Sequence, residues 1–418
     1  MKILSALLFA MSYEDVTPYS SSSSSPYVSS QWALKRRRVP EHRSETIDRP
    51  LIIGYAHNAS SGKTERAIQD GADVIIWSFL HFDLVHELGR IKSDLNFKDI
   101  RKIRDEHEHV VHLAAFGGWN GPHPPVFTRD SQKSGPLKSL SGKSWFDVFM
   151  KFNKSHGYLF DGVDWDYEGH DDLNLPTAKL TLETLDIMAD FSIAAKENGL
   201  IVTMAPAESY LDASAKPGID SKFSLDLDFP PRAWTSLEYN ASDEDRELVQ
   251  SVGFSHAGRQ CYAYVLAKAG IETFDWISIQ FYEAYSPFAH DVSRMKLDHA
   301  DALMKRVNRL INGYTVTNLP LPSSPEYIVK IPPSKLVLGV ANSWADGLKF
   351  CKVSPSALRT AYDSTIAEYG HGYFGVMFWT IEEEEEDDKL RFTYSLNHAL
   401  QKSDQQNNIS TTKENKEL

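Results

Sequence analysis

The sequence contains little cysteine: Cys261 and Cys351 are the only two among 418 residues. Two cysteines exclude a disulfide-built scaffold and a cysteine-rich zinc module. No apolar run approaches the roughly 18 residues of a membrane-spanning helix. Acidic residues outnumber basic ones, and a formal net charge of -13 argues against a nucleic-acid partner. The remaining composition, 42% apolar and 24% charged, is that of a globular protein with ample core.

The two ends of the chain differ in composition from its middle. Residues 1–12 place Lys2 before a short apolar run, which predicts a signal peptide and a secreted protein, with an ordinary disordered tail as the alternative. Residues 13–49 are rich in Ser, Pro and Arg, and residues 401–418 are polar, so both are predicted to be disordered. Four Asn-x-Ser sequons are compatible with a secretory route, at Asn58, Asn153, Asn240 and Asn408.

Between these ends, over residues 50–400, short apolar runs alternate with helical patterns. The runs lie at residues 51–56, 74–80, 110–118, 158–168, 200–206, 274–282, 335–341 and 374–381. Segments between them, such as FKDIRKIRDEH and WFDVFMKFNKSHG, have helical apolar spacing. Eight such repeats predict a single-domain α/β fold, the (β/α)8 TIM barrel. A doubly wound open sheet is the alternative.

The fourth run contains FDGVDWDYEG, residues 160–169, with four carboxylates among apolar and aromatic neighbours. On an extended strand Asp164, Asp166 and Glu168 share one face, with neighbours roughly 6.5 to 7 Å apart, and Asp161 lies on the other. Like charges on a buried face keep a proton on at least one carboxyl near neutral pH. Glu168, at the strand end, is therefore the candidate general acid.

Other strand ends also carry polar or aromatic residues, and active sites of such barrels lie at the carboxyl ends of the strands. The candidate substrate contacts are Gly118 and Trp119 after the third strand, Met204 on the fifth, Gln280, Tyr282 and Glu283 on the sixth, and Trp379 on the eighth. Taken alone, an aromatic such as Tyr282 or Trp379 is more often a core-packing residue than a ligand contact. The convergence of these residues on one mouth of the barrel favours a role in substrate binding.

The stretch DGVDWDYE resembles the DGxDxDxE signature of the family-18 glycoside hydrolases, the chitinase and endo-β-N-acetylglucosaminidase family. The segments GYA, AFGGW, MAP, QFYE and VMFW resemble motifs of the same family, in the same order along the chain. The resemblance implies hydrolysis of β-1,4 linkages in N-acetylglucosamine polymers, without metal or other cofactor. The implied partner is a carbohydrate containing N-acetylglucosamine, and we expect a monomer.

The resemblance also implies residue roles in a retaining, substrate-assisted reaction that uses no protein nucleophile. Glu168 protonates the glycosidic oxygen, while the 2-acetamido carbonyl of the sugar attacks the anomeric carbon. Asp166 orients the acetamido N–H, and Asp164 tunes Asp166 by sharing a proton. Tyr282 holds the carbonyl oxygen, and Trp379 forms the floor under the sugar.

Three positions depart from the family pattern. Ala56 stands where Tyr is frequent, and Ala115 where Ser is frequent; both usually bond the inner aspartate. Asp164 is therefore expected to lack its customary partners, with His57, Asn58 or Asn120 as candidate substitutes. The third departure is Glu283, where Asn or Asp is usual.

Several alternatives stay open at this stage. The short connection between the last two strands predicts a shallow groove, which suits endo-cleavage or the chitobiose core of N-glycans. The long connection from Ala207 to Thr273 either shapes this groove or forms a structural flap. A different class is a silent carbohydrate-binding protein on the same barrel. A third reading makes the three carboxylates ligands of a hard cation.

Overall fold

A computed structural model describes residues 49–401 apart from 86–87, 125–139, 173–174, 176–179, 215–220, 230–231, 236, 238–239, 252–255, 346, 348–349 and 388. The predicted signal peptide lies outside the described residues. The same holds for almost all of the predicted leader and tail, and for Asn408. These remain predictions.

The described strands fall into a barrel and three hairpin or edge pairings. In chain order they are β1 (Leu51–Ala56), β2 (Val74–Val85), β3 (Leu88–Lys92), β4 (Val111–Gly118), β5 (Gly162–Tyr167), β6 (Ile201–Met204), β7 (Leu227–Phe229), β8 (His256–Ala257), β9 (Trp276–Gln280), β10 (Tyr314–Val316), β11 (Tyr327–Val329), β12 (Leu336–Ala341) and β13 (Gly375–Trp379). Each of the eight apolar runs overlaps one barrel strand.

The barrel is closed. Its strands follow the order β1-β2-β4-β5-β6-β9-β12-β13, all neighbours are parallel, and β13 pairs back onto β1. Closure removes the free edges that a doubly wound sheet would have. The predicted (β/α)8 barrel is thus confirmed, and the open-sheet alternative is wrong.

Helices cover the outside of the barrel and bury its apolar outer face. The described α-helices are α1 (Lys63–Gln69), α2 (Phe97–Glu106), α3 (Gly142–Ser155), α4 (Leu182–Glu197), α5 (Arg232–Thr235), α6 (Asp243–Ser251), α7 (Cys261–Ala269), α8 (Pro287–Ser293), α9 (His299–Asn312), α10 (Pro355–Tyr369) and α11 (Phe392–Leu400). Side-chain oxygens cap many of their N-termini; Ser141, Thr181 and Ser354 each accept a backbone N–H three residues on.

Two elements differ from the sequence prediction. The second strand continues beyond residue 80 and pairs antiparallel with β3. Phe82 drives this extension, because its ring packs 4.5 Å from both Phe116 and Trp145. Residues 246–270, RELVQSVGFSHAGRQCYAYVLAKAG, read as one helix-like stretch in the sequence, but they lie in two helices, α6 and α7, with β8 between them. A continuous helix is excluded because Gly258 and Gln260 have φ angles of 98° and 57°.

Strand alternation decides which side chains face the barrel interior. The register places Asp164 of β5 beside Ala115 of β4 and Thr203 of β6. The next pair along, Trp165 and Met204, lies on the opposite face. Trp165 Nε1 donates to Ser192 Oγ of α4 over 2.8 Å, so this second face contacts the helical layer.

A buried ion-pair cluster fixes the loop after β6. Arg306 of α9 donates from Nε to Glu208 Oε1 over 2.9 Å and bonds Asp291 of α8 through Nη1. The other oxygen of Glu208 accepts from the backbone N–H of Phe288 over 2.9 Å. Arg306 and Glu208 are both about 1% exposed, so removing either partner would leave an uncompensated buried charge. This cluster holds the loop that carries Ser209 against the rim of the barrel.

The long connection before β9 packs, in its described part, against α8. Trp234 Nε1 donates to the carbonyl of Ser286 over 3.2 Å, and its ring meets Tyr285 edge-on. Arg294 adds an ion pair with Asp245 at 2.6 Å. These contacts give the connection a structural role at the barrel rim.

Two further findings bear on location. None of the helices in the described part of the chain is long and apolar enough to cross a membrane. Among the described sequons, Asn58 and Asn240 are exposed, whereas Asn153 is fully buried. The Asn153 side chain exchanges two hydrogen bonds of 2.9 Å with the backbone of Phe160, so this sequon is structural.

Candidate active site

Three carboxyl groups line up along one strand at the carboxyl end of the barrel. Asp164 and Asp166 belong to β5, and Glu168 follows directly after it. Asp164 is fully buried, Asp166 is 4% exposed, and Glu168 is partly exposed at the mouth. The line therefore runs from the barrel interior to solvent, with Glu168 the member that a ligand reaches first.

Gln280, at the end of β9, connects the two outer carboxyls. Its Nε2 lies 2.8 Å from Asp166 Oδ1, 2.9 Å from Glu168 Oε1 and 2.7 Å from the carbonyl oxygen of Ala205. Gln280 is only 3% exposed. It therefore positions the carboxyls and presents little surface of its own to a ligand.

Asp164 has two hydroxyl partners. Tyr55 donates its hydroxyl to Oδ2, and Thr203 donates its hydroxyl to Oδ1. Asp164 therefore has two partners although Ala56 and Ala115 offer no hydroxyl, and they are not the substitutes His57, Asn58 and Asn120 that the sequence suggests. The reason is that Tyr55 and Thr203 both face the interior at the level of Asp164, one on β1 and the other on the neighbouring β6.

The proposed substitutes for those partners bond elsewhere on the rim. Asn58 Oδ1 accepts from the backbone of Ser60, and the backbone N–H groups of His57 and Asn58 donate to Glu382. Asn120 pairs with Asp171. None of the three reaches Asp164.

Burial raises the pKa of all three carboxyls. It raises the pKa of Asp164 to about 6, although the bonds from Thr203 and Tyr55 favour the ionised form. It also raises the pKa of Glu168 to about 6, against hydrogen bonds from Gln280 and Asp166. The pKa of Asp166 lies well above its usual range because of burial first, and then the charges of Glu168 and Asp164. The line thus retains protons at a pH where separate carboxyls would be ionised.

An aromatic wall stands beside the carboxyls. Trp379, partly exposed at the end of β13, packs 5.4 Å from the Tyr55 ring and 5.7 Å from Phe79. Trp344 donates its Nε1 to the carbonyl of Trp379 over 2.6 Å. The Trp344 ring also meets Tyr282 edge-on at 6.0 Å. Packing on several sides fixes Trp379 and Tyr282 in place at the mouth.

Gly117 permits a close approach between β4 and the carboxylate strand, and Gly118 permits a close approach of the Phe79 ring from β2. Their φ angles are 126° and 83°, in the region that favours glycine. A Cβ atom at Gly117 would lie 2.2 Å from the backbone oxygen of Asp166, and one at Gly118 would lie 2.4 Å from the Phe79 ring. Gly118 therefore serves the site through its missing side chain.

A family model described as glycosyl hydrolases family 18 matches residues 51–349. This match spans most of the barrel, including the carboxylate strand. The chain belongs to glycosyl hydrolases family 18. It is a glycoside hydrolase, and the enzymes of this family bind carbohydrates that contain N-acetylglucosamine.

Solved structures include similar family GH18 chitinases. One from Chromobacterium violaceum is 16% identical, with 84% of this chain and 82% of that chain covered and a TM-score of 0.49. Another from Pseudoalteromonas aurantia is 15% identical, with coverage of 84% and 98% and a TM-score of 0.47. A comparison with curated proteins finds no match.

Two residues of this family-18 hydrolase that the sequence predicts as substrate contacts, Met204 and Glu283, have other contacts in the structure. Met204 is fully buried and faces the helical layer with Trp165, so it does not join the site. Glu283 lies near the mouth, but its Oε1 accepts from Ser209 Oγ over 2.9 Å and its Oε2 from Ser209 N over 3.1 Å. Burial raises the pKa of Glu283 to about 8. Glu283 therefore connects two mouth loops as a largely protonated group.

Four contributing residues were not assigned a role from the sequence: Tyr55, Thr203, Phe79 and Trp344. Alternation along β6 puts Thr203 on the inner face, since its neighbour Met204 faces outward, but the contacts of Tyr55 and Thr203 with Asp164 depend on the register between strands. Phe79 and Trp344 have no comparable local signal, because Phe79 reaches Trp379 from within β2 and Trp344 from the loop after β12. Among the described residues, no cluster of His, Cys, Asp and Glu has an arrangement suited to a metal ion.

Proposed function

We propose that this family-18 enzyme hydrolyses β-1,4 linkages between N-acetylglucosamine units of chitin or chitooligosaccharides, with the 2-acetamido group of the substrate as nucleophile. The observation that carries the proposal is the line of Asp164, Asp166 and Glu168 on one face, with only Glu168 at the mouth. A protein nucleophile would require an ionised carboxylate across the cleft. Glu283, a further carboxyl near the mouth, is occupied by Ser209.

In the first step, Glu168 gives its proton to the glycosidic oxygen as the bond from that oxygen to the anomeric carbon breaks. The bonding electron pair leaves with the oxygen. The acetamido carbonyl oxygen attacks the anomeric carbon from the opposite face, which forms an oxazolinium ion. A raised pKa suits Glu168 to this role, because the carboxyl must still hold its proton near neutral pH.

Asp166 and Asp164 act on the charge that develops in the intermediate. The acetamido N–H becomes positive as the ring closes, and a carboxylate at Asp166 stabilises it. Asp166 is hard to ionise in the free site. Asp164, with hydroxyl donors on both oxygens, provides the deeper group with which Asp166 shares a proton.

The second step releases the product with its configuration retained. Water attacks the anomeric carbon from the side that the leaving group vacated, passes a proton to Glu168, and opens the oxazolinium ring. Trp379 presents a fixed apolar face beneath the sugar, and the Tyr282 hydroxyl holds the acetamido oxygen during both steps. Two inversions at one carbon give a product of the same β configuration as the substrate.

The chitobiose core of N-glycans is the second candidate substrate. It is favoured by the short connection between β12 and β13, whose described part contains one α-helix, α10. No additional domain there deepens the cleft in the described residues, so a branched glycan has room to enter. A silent binding protein is the third candidate; the intact Glu168 and its bond to Gln280 argue against it.

The test is incubation with chitotetraose and, separately, with a high-mannose glycoprotein, followed by mass spectrometry of the products. We expect shorter chitooligosaccharides from the first substrate, and no release from the Glu168→Gln variant. If the enzyme releases the glycan from the glycoprotein and does not cleave chitotetraose, the substrate is the chitobiose core of N-glycans. Binding of chitotetraose without any cleavage would support the silent binding protein instead.

A further inference from the structure

The backbone of Glu168 is held on both sides of its side chain. The carbonyl oxygen of Tyr167, the preceding residue, accepts a hydrogen bond from the Tyr262 hydroxyl over 3.1 Å. The carbonyl oxygen of Glu168 itself lies 2.8 Å from Nε2 of His123. Because a carbonyl oxygen only accepts, His123 carries a proton on Nε2 and donates it here. The two peptide groups that flank the Glu168 side chain thus each have a side-chain partner.

The two donors come from different parts of the fold. Tyr262 lies in the first turn of α7, within the long connection before β9, whereas His123 lies in the loop after β4. Both are buried, with exposed fractions of 0% and 4%. Tyr262 stacks on Tyr210 at 5.7 Å, and His123 meets the ring of Tyr167 edge-on at 5.4 Å. Packing therefore fixes both donors in place.

A tight turn brings His123 back to the carboxylate strand. A Cβ atom at Gly121 would lie 2.0 Å from the backbone oxygen of Gly117, so the turn requires glycine. The backbone N–H of Asn120 donates to the carbonyl of Gly169 over 3.1 Å. The loop after β4 therefore contacts the chain just after β5 at more than one point.

The tip of the same loop has a separate anchor. Trp119, which the sequence predicts as a substrate contact, is 41% exposed, and its Nε1 donates to Asp171 Oδ1 over 3.0 Å. Asn120 Nδ2 donates to the other oxygen of this carboxylate over 2.8 Å. A substitution at His123 therefore removes one contact of the loop and leaves the others.

The donors act where strand pairing ends. The strand β5 ends at Tyr167, and its register with β4 stops at the same residue, so Glu168 lies beyond the ladder. Gln280 contacts the Glu168 side chain through Oε1, but this bond does not fix the backbone from which the side chain extends. A displacement of about 1 Å at a catalytic group can cost about 10²-fold in rate. The position of this backbone therefore matters to an acid that must reach the glycosidic oxygen.

We propose that His123 and Tyr262 are positioning residues that hold the Glu168 backbone where its carboxyl can protonate the glycosidic oxygen. The inference rests on the proposed function, in which Glu168 is the acid. Neither residue touches a reacting atom. Their effect is therefore confined to substrates whose leaving group needs a proton, and it is absent where the leaving group departs as a stable anion.

The experiment compares chitotetraose with 2,4-dinitrophenyl β-chitobioside in the full chain. The sugar released from chitotetraose needs a proton, whereas dinitrophenolate leaves without one, and kcat/KM reports the first bond cleavage in both cases. We expect His123→Phe, which keeps a ring against Tyr167, to lower kcat/KM for chitotetraose about tenfold to thirtyfold. The same variant should lower kcat/KM for the dinitrophenyl substrate less than about threefold. Tyr262→Phe should lower the chitotetraose value about threefold to tenfold, with the same selectivity.

Three further variants separate positioning from general loss of structure. His123→Gln places an amide N–H near the position of Nε2, so kcat/KM for chitotetraose should recover to within about threefold of the parent. Tyr167→Phe removes a buried hydroxyl that has no hydrogen-bond partner in the described part of the chain, and both substrates should be cleaved as by the parent. Glu168→Gln should show the largest difference between the two substrates, because it lacks the acid.

Equal losses on both substrates would make His123 and Tyr262 structural residues of the mouth. Unchanged kcat/KM for chitotetraose in both His123→Phe and Tyr262→Phe would remove them from positioning. Either result would overturn the inference and leave the proposed function in place. Calorimetric unfolding identifies any variant that does not fold, and the substitution at the other donor then decides the comparison. A parent that cleaves neither substrate would overturn the proposed function, and the inference with it.

Discussion

The hydroxyl of Tyr55, on β1, donates a hydrogen bond to Asp164 Oδ2 on β5, across 109 residues of chain. The hydroxyl of Thr203 donates a hydrogen bond to the other carboxylate oxygen of Asp164, Oδ1. Both bonds favour the ionised carboxylate, and burial opposes them, so that the pKa of Asp164 settles at about 6. The innermost carboxyl is therefore able to change protonation state in the range where the enzyme would work.

Replacing Tyr55 by Phe tests this balance. Loss of a hydrogen bond to a charged group costs about 1.5–3 kcal/mol, and one pKa unit corresponds to about 1.4 kcal/mol. The pKa of Asp164 should therefore rise, and the acid limb of the kcat profile should move to higher pH by about one unit. The measurement is kcat against pH with chitotetraose.

Tyr373→Phe is the matched control for this change. Tyr373 is equally buried, but its hydroxyl donates to the carbonyl of Leu358, remote from the carboxyls. The acid limb of the kcat profile of Tyr373→Phe should lie at the same pH as that of the parent. If Tyr55→Phe and Tyr373→Phe give the same profile, Tyr55 does not set the ionisation of Asp164.

Replacing Gln280 by Met should move the alkaline limb of the kcat profile. The Gln280 amide lowers the pKa of Glu168 and Asp166 by hydrogen bonding to their ionised forms. Met has a similar length and no donor, so Glu168 should hold its proton to higher pH. We expect the alkaline limb of kcat to rise by about 0.5–1 pH unit. An alkaline limb that moves to lower pH, or does not move, would show that Gln280 does not lower the pKa of Glu168.

Glu283→Gln is expected to change how stability depends on pH. The pKa of Glu283 is raised to about 8 in the folded chain, against an ordinary value near 4.5. Between these values the folded state binds the extra proton, so stability is fully present below about pH 4.5 and is lost as pH rises toward 8. The Gln variant lacks this loss.

Calorimetric Tm values at pH 5, 6, 7 and 8 check the point. The difference between Glu283→Gln and the parent should grow in favour of the variant by on the order of 1–2 °C over this range. Partial exposure of Glu283 limits the effect. A difference that is constant with pH would mean that Glu283 is already ionised at neutral pH.

Glu168→Gln should abolish catalysis and keep the sugar site. The amide retains the shape and the contact with Gln280 but cannot protonate the glycosidic oxygen, so kcat should fall by about three orders of magnitude or more. Binding of chitotetraose, measured by calorimetry, should change less than about threefold. Near-normal turnover in this variant would remove Glu168 from the role of acid.

The barrel and the carboxylate line were accessible to sequence reasoning because both depend on local periodicity. Alternation along one strand is enough to place Asp164, Asp166 and Glu168 on the same face. The partners of Asp164 were not accessible in the same way. Tyr55 and Thr203 reach it through the register between different strands, which no local pattern specifies.

Glu283 illustrates the same limit. Its position after the sixth barrel strand predicts an extra carboxylate beside the sugar. Its contacts with Ser209, 74 residues earlier in the chain, depend on how the loop after β6 is folded. That loop is in turn held by the buried pair of Glu208 and Arg306. A chain of long-range contacts therefore decides what one side chain at the mouth can do.

The anomer that appears first in the product tests the central claim, that the acetamido group of the substrate is the nucleophile. Proton NMR of chitotetraose, recorded within the first minutes after the enzyme is added and before mutarotation, distinguishes the two anomers. The account predicts initial β-anomer at the new reducing end, and no cleavage of a fully deacetylated chitosan oligomer under the same conditions. Initial α-anomer, or efficient cleavage of the deacetylated oligomer, would contradict it even if Glu168 proved essential.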